Sequence, residues 1–238
     1  MRLDKYVAQA MQITRSQART MIARGSITVD GTVCKKADTA LKGEEQVRAG
    51  ETLLGKEEFV YIMLNKPEGV VSASTDKRDV TVVDLLQDAF PRRNLFPAGR
   101  LDKTSTGFVL LTDDGAFAHD ILAPRKHVPK TYFVTIDTPV TQQMVTAFEQ
   151  GVTLADGQKM ESATLIPSST DPYSATVVLR QGVYHQIKRM FGVLDAGVNA
   201  LHRSAIGGLV LDESLAPGEW RKITEAERQQ IIAAQAKG

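Results

Sequence analysis

The chain has 238 residues, enough for a sizeable core and one or two domains. Its hydrophobic share of 42% and charged share of 24% argue against a disordered or fibrous protein. With 29 Lys and Arg against 28 Asp and Glu, the net charge is +1, so any nucleic-acid partner would have to be held by local basic patches.

The opening "MRLDKYVAQAM" carries charges where a signal peptide needs an apolar core, and no apolar run approaches a membrane span. A soluble cytoplasmic protein with no membrane partner is the expectation. Leu3, Val7, Ala10 and Met11 share one helical face. A second helix is marked by a capping-box pattern, Thr14 with Gln17, and by Gly25 as its stop. Its outward face carries Arg15 and Arg19, four apart and therefore neighbours. The first 25 residues hold five Lys or Arg, Lys5 among them, and one Asp. Such a face is either solvated or made to track phosphates. Next, "SITVDGTVCKK" reads as a hairpin turning at Asp30-Gly31, and "EQVRAG" as a third strand. "LGKEE", residues 54 to 58, reads as a polar linker, so the chain divides into domains 1–55 and 59–238.

From Phe59 the pattern changes. "FVYIMLNKPEG", "TGFVLLTDDG", "KTYFVTID", "SATVVLRQG" and "IGGLVLD" read as strands, and "VTVVDLLQ", "GAFAHDIL", "TQQMVTAFEQG" and "VYHQIKRMFGVL" as helices. Strands outnumber helices without strict alternation, which predicts an α+β domain with a mixed, largely antiparallel sheet flanked by helices. No repeat, low-complexity tract or phosphate-binding glycine loop is present. Cys34 is the one cysteine, which excludes an internal disulfide and a multi-cysteine zinc site. His119, His127, His185 and His202 are too scattered for a metal centre, so neither metal nor cofactor is expected.

Three stretches hold residue types that apolar packing would not need. In "GRLDKTSTG", Asp102 stands between cations; Thr104, Ser105 and Thr106 read as turn-forming residues, and Gly99 and Gly107 as tight backbone turns. In "PKTYFVT", Lys130 and Tyr132 lie two apart on a strand and share a face, core packing competing with a stacking platform beside a phosphate anchor. In "GVYHQIKRM", a turn entering a helix, Tyr184 neighbours Lys188 and His185 neighbours Arg189. Cations at a helix start oppose its dipole unless an anion compensates.

The first segment, in "RLDKYVAQAM", "TRSQARTMIARGSITVDGTV" and "VRAGE", resembles the small RNA-binding domain first recognised in a ribosomal small-subunit protein. "GRLDKTSTG", "KTY" and "HQIKRM", with "LNKPEG" and "LHRSAIGGLVLD", resemble the signature motifs of pseudouridine synthases, and the likeness covers nearly the whole chain. "YHQIKRMF", "LHR" followed by "IGG", and "LAPGEWR" are similar to the subgroup acting on ribosomal RNA, though Gln181 stands where that subgroup commonly has an acidic residue.

The resemblance implies Asp102 as the essential carboxylate, Tyr132 as the active-site tyrosine and Lys188 as the cation that keeps the carboxylate ionised, with Arg100 the local alternative. It implies RNA contacts for Arg100, Lys130, His185, Gln186, Arg189, Leu201 and Arg203, and for Lys5, Arg15 and Arg19 in the first domain. The implied partner is ribosomal RNA, most specifically uridine 516 of 16S RNA in a small-subunit particle, met by a monomer. The alternatives are a synthase acting on 23S RNA and a non-catalytic assembly factor. A glycosidase would want two catalytic carboxylates, and Asp113-Asp114 reads better as a turn.

Overall fold

The computed structural model describes residues 1–11, 13–55, 59–91, 93–123 and 128–233. Residues 56–58 of the expected linker, and His127, lie outside them. The chain divides into two compact units, Met1–Phe59 and Val60–Gly238.

The first unit begins with α1 (Leu3–Ala10) and α2 (Arg15–Ala23). The expected capping box closes α2: Gln17 N–H donates to Thr14 Oγ1 and Thr14 N–H to Gln17 Oε1. Four short antiparallel strands follow, β1 (Ile27–Val29), β2 (Thr32–Val33), β3 (Val47–Ala49) and β4 (Thr52–Leu54), in the order β2-β1-β3-β4. Asp30 and Gly31 both take positive φ, 49° and 79°, the geometry of the expected hairpin turn. Leu3, Val7, Ala18, Ile22, Ile27 and Val47 form the core.

Asp4, in the first turn of α1, is fully buried, and three guanidinium groups close on it. Arg15 Nη2 lies 2.9 Å from its carboxylate, Arg19 Nε 3.0 Å and Arg2 Nε 3.2 Å. Arg15 and Arg19, read as a free outward face, are thus half committed to tying α2 to α1.

The second unit is built on one large sheet. Its central strands are β5 (Tyr61–Lys66), β7 (Thr106–Thr112), β8 (Lys130–Ile136), β10 (Ser174–Leu179) and β11 (Val198–Ile206). Short edge pieces complete it: β6 (Phe96–Pro97), β9 (Thr164–Pro167), β12 (Leu209–Val210) and β13 (Trp220–Lys222). The order is β13-β5-β7-β11-β8-β10-β9, antiparallel throughout except for the parallel pair β7–β11. The expected α+β class with a mixed, largely antiparallel sheet is therefore found.

Both faces of the sheet are covered. Ile62, Leu64, Val109 and Leu111 join one apolar cluster with Phe148 of α4 (Gln142–Gln150) and Phe191 of α5 (Gln186–Gly192). Met63, Phe108 and Leu110 join the other with Phe117 of α3 (Gly115–Leu122) and Ile231 of α6 (Glu225–Ala233). Burial on both faces is why "GFVLL" is continuously apolar rather than alternating. Each fully buried Leu, Phe or Val there contributes about 1.5–3 kcal/mol.

Two expectations fail here. "VTVVDLLQ" forms only a single 3-10 turn at Asp84–Leu86, because its β-branched run resists a helix and Thr81 and Asp84 cap each other reciprocally at 2.8 and 3.1 Å. Asp114, read as part of a turn, is the N-cap of α3, accepting from the amides of Ala116 and Phe117.

Candidate active site

Strand register places four residues on one rung of the sheet. Lys66 of β5 is opposite Gly107 of β7, Gly107 is beside Arg203 of β11, and Arg203 is opposite Tyr132 of β8. Paired residues project from the same face of a sheet, and the next positions inward, Leu64, Val109, Leu201 and Val134, are core. The rung is the polar rim of an apolar face. Gly107 is required in it: its φ is +100°, and a Cβ there would lie 2.4 Å from the Arg203 carbonyl oxygen.

Two buried cations on this rung strap down the loop that carries Asp102. Lys66, fully buried, donates from Nζ to the carbonyls of Ser105 at 2.7 Å, Pro67 at 2.9 Å and Lys103 at 3.4 Å. Burial pushes its ammonium down to about 8, against the opposing charges of Asp102 and Glu68. Arg203, also buried, donates from Nε to the Phe108 carbonyl at 2.7 Å and from Nη1 to the Arg100 carbonyl at 3.4 Å. The loop is therefore held on either side of Asp102, and Ser105 N–H closes its turn on the Asp102 carbonyl at 3.0 Å.

Helix α5 brings the remaining groups. Lys188 Nζ lies 3.5 Å from Asp102 Oδ2 and donates to Thr104 Oγ1 at 3.0 Å; His185 Nε2 lies 3.3 Å from Asp102 Oδ1. His185 precedes the helix in the left-handed conformation with φ 52°, and Tyr184, 74% exposed, stacks on its ring at 3.8 Å. The Asp102 side chain keeps 28% of its surface open. Tyr132 is buried with Leu201 at the edge of the core, and its hydroxyl bonds to no described residue.

The structure thus gathers Asp102, Lys188, His185, Tyr132, Lys130, Leu201 and Arg203 within one end of one sheet face. Arg100 is exposed on the Asp102 loop. Arg189 pairs with Asp156. Gln186 is buried in its own turn, accepting from Val183 N–H at 3.2 Å and donating to Gln181 at 3.4 Å. Lys5 is exposed on α1 of the first unit. Sequence reasoning missed Lys66 and the contact of His185 with Asp102. The signal for Lys66 was a lysine closing an apolar strand, "YIMLNK".

Among the described residues no group of three His, Cys, Asp or Glu could hold a metal ion. A depression of about 370 Å³ lies in the first unit, lined by Tyr6, Leu41, Gln46 and Leu54, and gathers no such set of reactive groups.

Residues 60–192 match the RNA pseudouridylate synthase family, and residues 1–47 the S4 domain. Ribosomal small subunit pseudouridine synthase A of Haemophilus influenzae (strain ATCC 51907 / DSM 11121 / KW20 / Rd) is 39% identical over 98% of this chain and 100% of its own. The protein of that name from Escherichia coli (strain K12) has the same identity and coverage. A Bacillus subtilis (strain 168) protein, "Uncharacterized RNA pseudouridine synthase YtzG", is 38% identical over 99% and 100%. A crystal structure of a pseudouridylate synthase superposes with a TM-score of 0.69 at 37% identity, covering 98% of this chain and 100% of that one. The chain belongs to the RNA pseudouridylate synthase family and carries an S4 domain at its N-terminal end. It is an RNA-modifying isomerase.

Proposed function

We propose that this enzyme converts one uridine of small-subunit ribosomal RNA to pseudouridine, uridine 516 of 16S RNA, with Asp102 as the essential carboxylate. The observation that carries the proposal is Asp102 itself: partly open, on a loop strapped by Lys66 and Arg203, with Lys188 and His185 beside its two oxygens. Relatives at 39% identity over their whole length, named for the small subunit, support the choice of RNA.

The reaction breaks the bond from ribose C1′ to base N1, turns the base and joins C1′ to C5. The hydrogen on C5 leaves as a proton and N1 regains one, so atoms balance with no redox partner. Asp102 opens this sequence, either as a nucleophile on the sugar or the base or as the base that takes a sugar proton. Lys188 stands beside its Oδ2 as a counter-charge and Thr104 steadies Lys188. Drawing a uridine from its stack costs a few kcal/mol, and stacking on an aromatic ring returns roughly 1–3 kcal/mol. Tyr132 supplies that ring, with Leu201 as the neighbouring apolar wall.

Residues 1–55 grip the RNA through Lys5 and the half-exposed faces of Arg15 and Arg19, and residues 59–238 carry the chemistry. The enzyme works as a monomer in the cytoplasm on a small-subunit particle.

The test is tritium release from 16S RNA labelled at uridine C5, naked and in small-subunit particles, with wild type and Asp102→Asn side by side. Release by the wild type alone is expected, at a site then mapped to uridine 516. Release only from 23S RNA would overturn the target. Release from neither would leave an RNA-binding assembly factor.

A further inference from the structure

Lys130 and Arg203 are two neighbouring cations with no anion between them. Arg203 is 2% exposed, and while its Nε and Nη1 serve the carbonyls of Phe108 and Arg100, its Nη2 is buried without any hydrogen-bond partner. A buried unpaired donor is costly, and most of all on a charged group. Lys130 lies on the same face of β8 as Tyr132, the residue directly opposite Arg203. Among the described residues the Lys130 ammonium has neither a hydrogen bond nor an ion pair, and burial together with the Arg203 charge pushes it down to about 8.

Among the described residues no carboxylate forms an ion pair with Lys130 or Arg203. Asp102 is flanked by Lys188 and His185, and Glu68, which acts on Lys66, is exposed. Two cations beside an active-site tyrosine, one with an orphaned donor, are groups arranged for an anion that arrives with the substrate.

We propose that Lys130 and the Nη2 of Arg203 form the seat for one phosphodiester of the bound RNA strand, within two nucleotides of the uridine that is modified. This rests on the reading of the site as that of an RNA pseudouridine synthase. The seat fixes the strand while the base turns, because the phosphate is a part of the nucleotide chain that the reaction leaves unchanged. Arg203 straps the Asp102 loop through its other nitrogens, so the seat also sets the phosphate in a fixed relation to the carboxylate.

The test combines a change in the protein with a change in the RNA. RNA fragments spanning the target carry a single neutral methylphosphonate at each position in turn, with a 2′-deoxy sugar on its 5′ side and the 2′-deoxy fragment as control. Their Kd and KM are measured with wild type and with Lys130→Gln. At one position the neutral link is expected to weaken wild-type binding about tenfold, the loss of one charge-assisted hydrogen bond. In Lys130→Gln that same link should change binding less than about twofold, and the salt slope of log Kd should fall by about 1 relative to wild type.

Penalties that are equal in the two proteins at every position would overturn the seat, as would an unchanged Kd and salt slope in Lys130→Gln. Stabilisation of the wild type by millimolar inorganic phosphate, with no methylphosphonate effect, would assign the pair to a free anion and overturn the RNA seat. Arg203→Gln, checked by thermal melting, should remove the same penalty if it folds; Lys130→Gln decides the matter if it does not. The Kd arm is independent of turnover. A wild type that binds these fragments and releases no tritium from ribosomal RNA overturns the catalytic reading, and the cycle still decides the phosphate seat.

Discussion

Asp4 and Asp102 are both carboxylates met by basic side chains, one in each unit, and they differ in what is left over. Asp4 is fully buried, with guanidinium nitrogens of Arg15, Arg19 and Arg2 at 2.9 to 3.2 Å. Burial pushes its carboxyl up, but the hydrogen bonds from Arg15, Arg19 and Arg2 outweigh this and hold it well below the usual range. Asp102 keeps part of its surface open, and its neighbours His185 and Lys188 stand off at 3.3 and 3.5 Å. Saturation makes a joint of the first, while the second keeps hydrogen-bond acceptor capacity in reserve for a ligand. The two carboxylates are told apart by how many of their acceptor positions are filled.

The contrast is sharpest under Asp→Asn exchange. Asp102→Asn should lower turnover at least about 1,000-fold with melting temperature and RNA affinity unchanged. A mutant that still releases tritium, or one that has lost its fold, would erase the distinction. Lys188→Met should cost about 10–100-fold in kcat, with most activity returning in Lys188→Arg, since the cation acts at one edge of an open carboxylate. Single-turnover rates check it.

Asp4→Asn should lower stability by about 2 kcal/mol in urea unfolding and leave turnover per folded molecule as it was. Here pH separates the two sites further. Because the Asp4 carboxyl is lower in the folded than in the unfolded state, its contribution is present above about pH 4 and is lost as the pH falls further. The wild type should therefore destabilise more steeply than Asp4→Asn in that acid range. The smallest effect belongs to His185→Asn, chosen because Asn tolerates a positive φ; about a threefold loss in kcat is expected from a half-exposed contact at 3.3 Å.

Much of the first unit was legible because its signals are local. Thr14 and Gln17 are three apart, and Asp30-Gly31 needs only its own backbone. Asp102, Tyr132 and Lys188 were legible as members of short motifs. What escaped depended on partners far along the chain. Arg203 meets Phe108 across 95 positions, and Lys66 meets Ser105 across 39. Strand β11 escaped as well, although it lies in the middle of the sheet, because "LHRS" interrupts its apolar pattern with groups whose partners are on β7 and on the Asp102 loop. The burial of Asp4 was hidden in the same way: its charge suggests a surface, and only the approach of α2 to α1 reverses that.

The parallel β7–β11 pair has a consequence for how the enzyme comes into being. Its two strands are joined through β8, β9, β10 and three helices, so the ladder that unites Gly107 with Arg203 closes a loop of almost a hundred residues. Closures of that length come late in folding. During synthesis the Asp102 loop emerges long before Arg203, and until residue 203 is in place the loop lacks one of its two straps. With β11, the last central strand, the second strap closes on the Asp102 loop.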